Sequence, residues 1–462
     1  MEIKDFFFWV EPLEKIFWTS FGWVILLAII FAVPVLRVWW WLFVPIILMY
    51  RLQSLYLWWI AWDFWYPKNK WVMLELVPPK EVLAPLSAME DVFSTVWSVV
   101  DKANWREIWC EGELPLCPYW LSWEIASIEG KIHFYVRCLE EHRHVVESVL
   151  YSHYPELEIT QTSDYTKNVP QNLPNEEWDI YGEDYILGRD YGYPIKTYTK
   201  FFEPQGERIS QEEKRVDPII SLLEDMGRVG PGEQVWFQMI TSPVLDEDIP
   251  WRAEAKKLIN KLSRRPEKKM KSFAEYIYEV VSAAIFGAFS PDKEGEEKSI
   301  SLAQSEGGEK EMIITPGERE VLTAIEEKIK KLAYKTNIRG LYLAKRENFK
   351  GPHGKIVRAY FTHFSATNLN HFRFWGKTRT KVHFIWRDRR KTLRGKKLFM
   401  NYVQRFPPMF PVLVDEGNPI FNTEELTTMF HFPTRLSGIS APTVVRVEAK
   451  KGGPPPDLPV EE

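Results

Sequence analysis

Residues 121–138 read LSWEIASIEGKIHFYVRC, two largely apolar runs that meet at Glu129 and Gly130. Both runs contain β-branched and aromatic residues, and a turn residue pair with glycine between such runs is typical of a β-hairpin. This hairpin forms the centre of the first predicted unit.

Elements on both sides of the hairpin complete a recognisable order. Residues 71–76 predict a strand, and Ser87 with Glu90 has the spacing of a capping box at the start of a helix. Residues 140–152 carry an apolar helical stripe, and residues 157–160 alternate as a strand. The order βαββαβ predicts a ferredoxin-like unit, an antiparallel sheet with two helices on one face.

A second unit repeats this order more loosely, so the predicted fold class is α+β with two ferredoxin-like domains. Its predicted strands are residues 195–201, 233–240, 338–345 and 369–375, and its predicted helices are residues 217–227 and 355–364. The insertion 245–315 interrupts it, with helices at 251–262 and 273–287 and a polar linker at 291–312 whose composition predicts disorder.

The first 66 residues predict a transmembrane helical hairpin. Residues 16–36 carry no charge over a length that spans a hydrocarbon core, and residues 38–66 form a second, aromatic run. An alternative is one spanning helix followed by an interfacial helix. The distribution of lysine and arginine predicts an inner-membrane protein with its soluble domains in the cytoplasm. The tryptophans predicted at the membrane interface are Trp39, Trp40, Trp41, Trp58, Trp59, Trp62 and Trp65.

The predicted domains follow from these segments. They are the transmembrane region 1–66, a first ferredoxin-like domain 67–170, a second domain 171–412 and a C-terminal region 413–462 with a docking helix, a strand and a proline-rich tail. Over the whole chain of 462 residues the net charge is −4, so any binding to nucleic acid has to be local. Three cysteines exclude a disulfide framework.

The sequence offers no recognised catalytic or metal-binding set. Gly376, Lys377 and Thr378 end like a phosphate-binding loop, but the position of its first glycine is His371. His142 and His144 point in different directions on a helix, and the cysteines lack the close spacing of zinc ligands. The prediction is a protein that is not an enzyme and carries no cofactor.

One segment is strongly basic, although the chain as a whole is close to neutral. Residues 377–397 contain ten basic residues and Asp388 as their only carboxylate. Such a segment neutralises phosphates, so a solvated surface, a nucleic-acid site, and a site for anionic lipid or an acidic protein all fit the pattern. The predicted phosphate-facing residues are Lys377, Arg379, Lys381, Arg387, Arg389, Arg390, Lys391, Arg394, Lys396 and Lys397.

Residues 422–433 predict a short helix that begins with Asn422 and Glu425 in capping-box spacing. Its apolar residues predict docking, either on the second unit of the same chain or on another subunit. The predicted docking residues are Leu426, Met429, Phe430 and Phe432.

Several segments resemble the membrane-anchored N-terminal region of coupling-type ATPases from type IV secretion and conjugation systems, in the form met in uncultured small-genome bacteria. They are WLSWEIASIEGKIHFYV (120–136), VESVLYSHYPELEI (146–159), DPIISLLEDMGRVGPGEQVWFQM (217–239), FNTEELTTMFHFP (421–433) and KKGGPPPDLP (450–459). In that family the proline-rich stretch leads into a RecA-like motor domain, and the resemblance predicts that this chain works without a motor domain of its own.

The resemblance implies a membrane-anchored, non-catalytic scaffold of a DNA or protein transfer machine. It would act with a RecA-like ATPase encoded separately, bind DNA or anionic lipid, and form a homo-oligomer. Two alternatives are a membrane-bound ligand-binding or sensor module, with a pocket between the two units, and a membrane-associated enzyme of unrecognised type.

Overall fold

The computed structural model describes residues 66–79, 82–99, 120–201, 217–247, 249–263, 315–383, 386–408, 417–433 and 443–444, with Arg106 and a few single residues between 25 and 57. The predicted linker 291–312, the predicted helix 273–287 and nearly all of the predicted membrane segments lie outside these residues. Of the seven tryptophans predicted at a membrane interface, the described residues include Trp41, which is 58% exposed.

The described residues form one sheet of ten strands. Its strands are Trp71–Val77 (β1), Leu121–Ile128 (β2), Lys131–Leu139 (β3), Glu158–Thr162 (β4), Trp178–Leu187 (β5), Glu233–Pro243 (β6), Ala333–Lys345 (β7), Phe372–Phe374 (β8), Ile420–Asn422 (β9) and Thr443–Val444 (β10). Eight of them lie in the order β4-β1-β3-β2-β6-β7-β5-β8, while β9 pairs with β7 and β10 pairs with β3. The pairing of β10 with β3 is parallel, and the others are antiparallel.

The pairing of β2 with β6 joins the two predicted units into one sheet. It runs from Leu121 opposite Thr241 to Ile128 opposite Gln234. In two separate domains each of these strands would be an edge with unpaired backbone groups, and their pairing satisfies those groups. The prediction of two separate ferredoxin-like domains is therefore wrong, because the sheet continues across the boundary between them.

The predicted transmembrane hairpin is likewise not part of the fold that the structure gives. Among the described residues no helix has both the length and the apolar composition needed to cross a membrane. The segment for which the hairpin is predicted, residues 16–66, lies almost entirely outside the described residues.

Helices cover both faces of the sheet. The α-helices of the described residues are Leu86–Trp97 (α1), Arg143–His153 (α2), Pro218–Gly227 (α3), Trp251–Leu262 (α4), Pro316–Lys330 (α5), Ile356–Thr362 (α6), Arg387–Gln404 (α7) and Thr423–Met429 (α8). Short 3-10 turns lie at Tyr66–Lys68, Glu140–His142, Tyr165–Asn168, Tyr198–Lys200, Arg346–Asn348 and His353–Lys355.

The starts of three helices follow from their first residues. Asp217 accepts a hydrogen bond from the Ile219 N–H at the start of α3, and α5 and α8 begin with complete capping boxes. The capping box predicted at Ser87 is wrong, because the N-cap of α1 is Pro85, two residues earlier, and it has no side-chain cap.

The two faces of the sheet bury separate cores. The first face packs against α1, α2, α3, α6 and α8, with Trp123 and Phe237 from the central strands fully buried there. The second face is covered by α7 and by residues 165–173, which enclose Trp236 and Leu341. Because side chains alternate along a strand, each central strand contributes to both cores.

Two elements differ from the sequence prediction. The first strand of the second half is β5, and not residues 195–201, which form a loop with a 3-10 turn. In that loop the Ile195 N–H donates to Glu425 Oε1 at 2.9 Å, so the segment pairs with a side chain instead of a strand. Helix α7 is also absent from the prediction, which gives residues 377–397 only as a basic segment.

The predicted docking residues pack inside the chain itself. Leu426, Met429 and Phe430 have no exposed surface, and Phe432 is 2% exposed. The Phe430 ring lies 5.4 Å from the Trp123 ring. In the structure these side chains therefore belong to the core of the first face.

Next to them, His431 links the end of α8 to the start of α3. Its Nε2 lies 2.9 Å from Asp217 Oδ1, and its Nδ1 lies 2.8 Å from the Thr427 carbonyl oxygen. Both neighbours are acceptors, so both ring nitrogens have to donate, which requires the imidazolium form. Burial alone would lower the pKa of His431, but the Asp217 carboxylate and the Thr427 carbonyl outweigh burial and raise it.

We expect this contact to make stability depend on pH. Because the folded-state pKa is above the unfolded value of about 6.5, the stabilisation is complete below that pH and is lost as the pH rises through the folded-state pKa. Asp217 faces the imidazole directly, and burial raises the pKa of Tyr360, which lies close enough to Asp217 for the carboxylate to add to this rise. Urea unfolding over a pH series should show this decline in the native chain and not in His431→Gln. Equal pH dependence in both would contradict it.

Candidate nucleic-acid interface

A surface rich in lysine and arginine surrounds the edge of the sheet formed by β5 and β8. Residues 345–405 contain seventeen Lys and Arg but only two carboxylates, Glu347 and Asp388. In this stretch Lys355 lies in the 3-10 turn before α6, Arg358 lies on α6, Arg373 lies on β8, and residues 387–397 lie on α7. We call the following residues the basic rim: Lys355, Arg358, Arg373, Arg379, Lys381, Arg387, Arg389, Lys391 and Lys396.

The loop after β8 runs along β5 and holds the rim at the edge. The Trp375 N–H donates to the Asp184 carbonyl at 2.8 Å, and the Thr380 N–H donates to the Gly182 carbonyl at 3.1 Å. The Gly182 N–H in turn donates to Thr380 Oγ1 at 3.1 Å. The cations of this loop are therefore carried by backbone that is fixed to the sheet.

Helix α7 sits unusually close to β5. A methyl group on Gly182 would lie 2.5 Å from a Leu398 methyl, and one on Gly395 would lie 2.9 Å from Ile180. Glycine on both elements permits this approach, and Leu398, Phe399 and Tyr402 then fill the second-face core. The buried side of α7 is thus fully occupied by the sheet.

Some cations of α7 are used to hold the fold together. Arg394 is buried, and its Nη1 donates to the carbonyls of Gly376 at 3.1 Å and Arg379 at 3.0 Å. Lys391 pairs with Asp179 at 2.6 Å. Burial lowers the pKa of Lys397, and the charge of Asp184 opposes that effect.

Other cations of the rim face solvent. Arg387, Arg389 and Lys396 on α7, and Lys381 in the loop, are exposed, as are Lys355 and Arg373. Within the part of the chain that the structure describes, no carboxylate pairs with these six residues. Their charge is available to an external anion.

Two arginines on the other side of the edge are held by one carboxylate. Glu183 is 1% exposed and pairs with Arg379 Nε at 2.9 Å and with Arg358, whose Nε donates at 3.0 Å. Tyr181 donates to the same carboxylate. Both guanidinium groups also lie over the Phe374 ring, at 4.7 Å for Arg358 and 4.2 Å for Arg379. The cluster keeps one excess positive charge in a fixed position.

The C-terminal end of α7 is fixed by a buried ion network. Arg405 has no exposed side-chain surface, donates to both oxygens of Glu124 at 2.9 and 3.1 Å, and pairs with Asp164. Tyr165 also donates to Glu124 at 2.7 Å. Burial would raise the pKa values of Glu124 and Asp164, but Arg405 and the hydrogen bonds outweigh burial and lower both.

The structure thus separates the ten predicted phosphate-facing residues. Four of them, Lys381, Arg387, Arg389 and Lys396, are exposed. Arg379, Lys391 and Arg394 have the internal partners given above, and Lys377, Arg390 and Lys397 are partly buried. The sequence prediction did not include Lys355, Arg358 and Arg373. A wider window of charge counting would have included them, because the basic stretch begins near residue 345.

One family model matches the chain. It is a domain of unknown function, DUF8128, and it matches residues 69–369, which is more than half of the chain. The chain belongs to the DUF8128 family. Comparison with curated proteins finds no match. The DUF8128 match includes Arg358, while α7 follows its last residue.

Membership of this family corrects the description of the chain as a transmembrane component of a secretion or conjugation machine. The DUF8128 family has no described function and gives no link to type IV secretion, conjugation or coupling proteins. The description of the chain as a transmembrane component of such a machine is therefore replaced by membership of DUF8128. The resemblance to coupling-type ATPases stays a prediction that these findings do not test.

The described part of the DUF8128 chain also has a large cleft, and none of the residues that line it belongs to the rim. Its volume is about 1010 Å³, and it lies between α5, residues 196–200 and residues 365–369. Lysine, arginine and glutamate all line it, as in the contact of Lys200 with Glu320 at 3.8 Å. The described residues contain no group of ligands suited to a metal ion. Mixed charge gives this cleft no evident ligand class.

Proposed function

We propose that this protein is a non-catalytic binding module that holds nucleic acid by its phosphates along the basic rim. One observation carries the proposal. Six exposed cations lie around one sheet edge, and within the described residues no carboxylate forms an ion pair with them. Lysine and arginine in such an arrangement displace the counterions of a nucleic-acid backbone and gain affinity from their release.

The setting of the rim supports this role. The chain as a whole has a net charge of −4, so the excess positive charge of residues 345–405 is a local feature that attracts a polyanion. The loop and α7 are fixed by the backbone contacts and close packing described above, so little order has to be gained on binding.

The proposal keeps two elements of the sequence prediction, a scaffold without catalysis and DNA as a partner. A RecA-like ATPase as second partner, homo-oligomer formation and attachment to an inner membrane stay predictions. Anionic lipid is the other partner suited to a basic surface, and it enters as an outcome of the test below.

We expect replacement of three rim cations to weaken binding strongly. In Arg387→Gln/Arg389→Gln/Lys396→Gln the affinity for a labelled DNA oligonucleotide should fall by ~10- to 100-fold at low salt, because phosphate contacts are lost. The slope of log affinity against log salt should become shallower by ~2 units. Fluorescence anisotropy on the full-length chain measures both quantities.

A matched control removes the same number of positive charges at exposed positions outside the rim. Lys131, Lys257 and Lys330 are exposed on β3, α4 and α5, and their triple replacement by Gln should leave binding within about twofold of the native chain. The proposal is lost if the native chain binds no DNA at low salt, or binds only anionic vesicles. It is also lost if both triple variants behave alike.

A further inference from the structure

Trp386 is the residue before α7, and three of its features are unfavourable for the stability of the fold. Its side chain is 74% exposed. Its φ of 53° and ψ of 41° are left-handed, a region that a bulky residue avoids at a cost of ~1–2 kcal/mol. It also provides no side-chain cap for the helix, whereas Ser or Asp at this position would. Within the described residues its indole has no aromatic, cation–π or hydrogen-bonding partner, and its backbone carbonyl accepts the Arg390 N–H at 2.9 Å.

The surroundings of this ring are cationic. Arg387 and Arg389 follow it directly and are exposed. Leu393 and Met400 are also exposed, at 43% and 53%, and because they are seven residues apart they lie on the same side of α7. Lys396 lies between them, so apolar and cationic side chains alternate along the outer side of the helix.

This alternation is unlike that of a helix lying on a membrane. Such a helix separates an apolar face, which enters the lipid, from a basic face. The apolar face of α7 is already buried against β5, and its outer side mixes both kinds of residue. Mixed aromatic and cationic residues are typical of surfaces that bind single-stranded nucleic acid, where bases stack on rings and phosphates meet cations.

We infer that Trp386 is a stacking platform for an unpaired base, so that the ligand of the basic rim is single-stranded nucleic acid. This inference rests on the proposed function. In a duplex the faces of the bases are already stacked on one another, so no free base face is left to stack on an exposed indole ring. The left-handed backbone holds the indole outward at the end of the row of cations. A single-stranded nucleic acid that runs along α7 would pass over it there.

The test compares three oligonucleotides of equal length, about a dozen nucleotides: a single strand, the same strand with abasic sites, and a duplex. Each is titrated by fluorescence anisotropy against the full-length native chain, Trp386→Ala, Trp386→Phe and Tyr151→Ala. Tyr151 is an exposed aromatic residue on α2, 43% exposed, and serves as the matched control. Thermal unfolding verifies that each variant folds.

We expect Trp386→Ala to bind the single strand ~5- to 150-fold more weakly, which is the contribution of one stacked base. Its affinity for the abasic strand and the duplex should change by less than about twofold, since their phosphate contacts remain. Trp386→Phe should recover most of the loss, and Tyr151→Ala should match the native chain.

Two results would overturn the inference in different ways. If the native chain binds all three oligonucleotides and Trp386→Ala behaves like Tyr151→Ala, the stacking role is lost while the rim proposal stands. If the native chain binds none of them, and vesicles of anionic lipid lose affinity in Trp386→Ala, both are lost and the ring contacts lipid.

Discussion

Replacement of Arg405 by Met is expected to lower the free energy of unfolding by ~3–5 kcal/mol, because it leaves a buried carboxylate without its counterion. Glu124 has no exposed surface and accepts two hydrogen bonds from Arg405, and Asp164 pairs with the same guanidinium. Methionine keeps much of the aliphatic volume, so the change reports mainly the lost charge.

The backbone at Arg405 helps to isolate this effect. Its φ of 58° is left-handed in the native chain, and methionine carries the same cost there because both residues have a Cβ atom. Arg405→Lys should recover only part of the stability, since an ammonium cannot bind both carboxylate oxygens as the planar fork does. Urea unfolding of the full-length chain measures each variant.

Arg389→Met serves as the control, because Arg389 is exposed on the same helix. Its expected change is within about 0.5 kcal/mol. A loss below about 1 kcal/mol for Arg405→Met would mean that the network contributes little and that α7 is held by its apolar contacts alone.

Lys328→Met is expected to have the second large effect, again ~3–5 kcal/mol. Lys328 is 1% exposed, and its ammonium lies 2.9 Å from Glu425 Oε2 and 3.0 Å from the Ile420 carbonyl. Burial lowers the pKa of Lys328, while Glu425 opposes that effect. Without the ammonium, the Glu425 carboxylate stays buried between α5 and α8.

A second variant separates the lost pair from lost packing. In Lys328→Met/Glu425→Gln the buried charge is removed, and glutamine can still complete the capping box with Asn422. The double variant should therefore be more stable than Lys328→Met, and thermal unfolding should show the order. Lys330→Met, exposed on the same helix, should match the native chain. If the double variant is no more stable than Lys328→Met, the loss comes from packing.

Local sequence patterns predicted many of the individual elements. The hairpin at Glu129 and Gly130 lies where its turn residues place it, and residues 251–262 form the predicted helix. These elements depend on local signals such as turn residues and apolar period. The joining of β2 to β6 depends on pairing between residues more than a hundred positions apart, which no local pattern encodes.

The candidate site was predictable only in part. The charge of residues 377–397 is visible in the sequence, but its division into structural and exposed cations is not. Arg394 donates to two backbone carbonyls, and Lys391 pairs with Asp179. Asp179 is far from Lys391 in sequence, and a backbone carbonyl cannot be recognised as a partner from residue types. Helix α7 was not predicted because its many charged residues mask the apolar spacing of Leu398, Phe399 and Tyr402.

The two edge strands of the sheet affect how copies of the chain can associate. The terminal strands of the eight-strand path are short, five residues in β4 and three in β8. A wide sheet with long, flat ends would act as a template on which further copies assemble into fibres. Here Glu158 and Arg373 place a charge on each terminal strand. The short, charged ends disfavour pairing of these edges with the sheet of another copy.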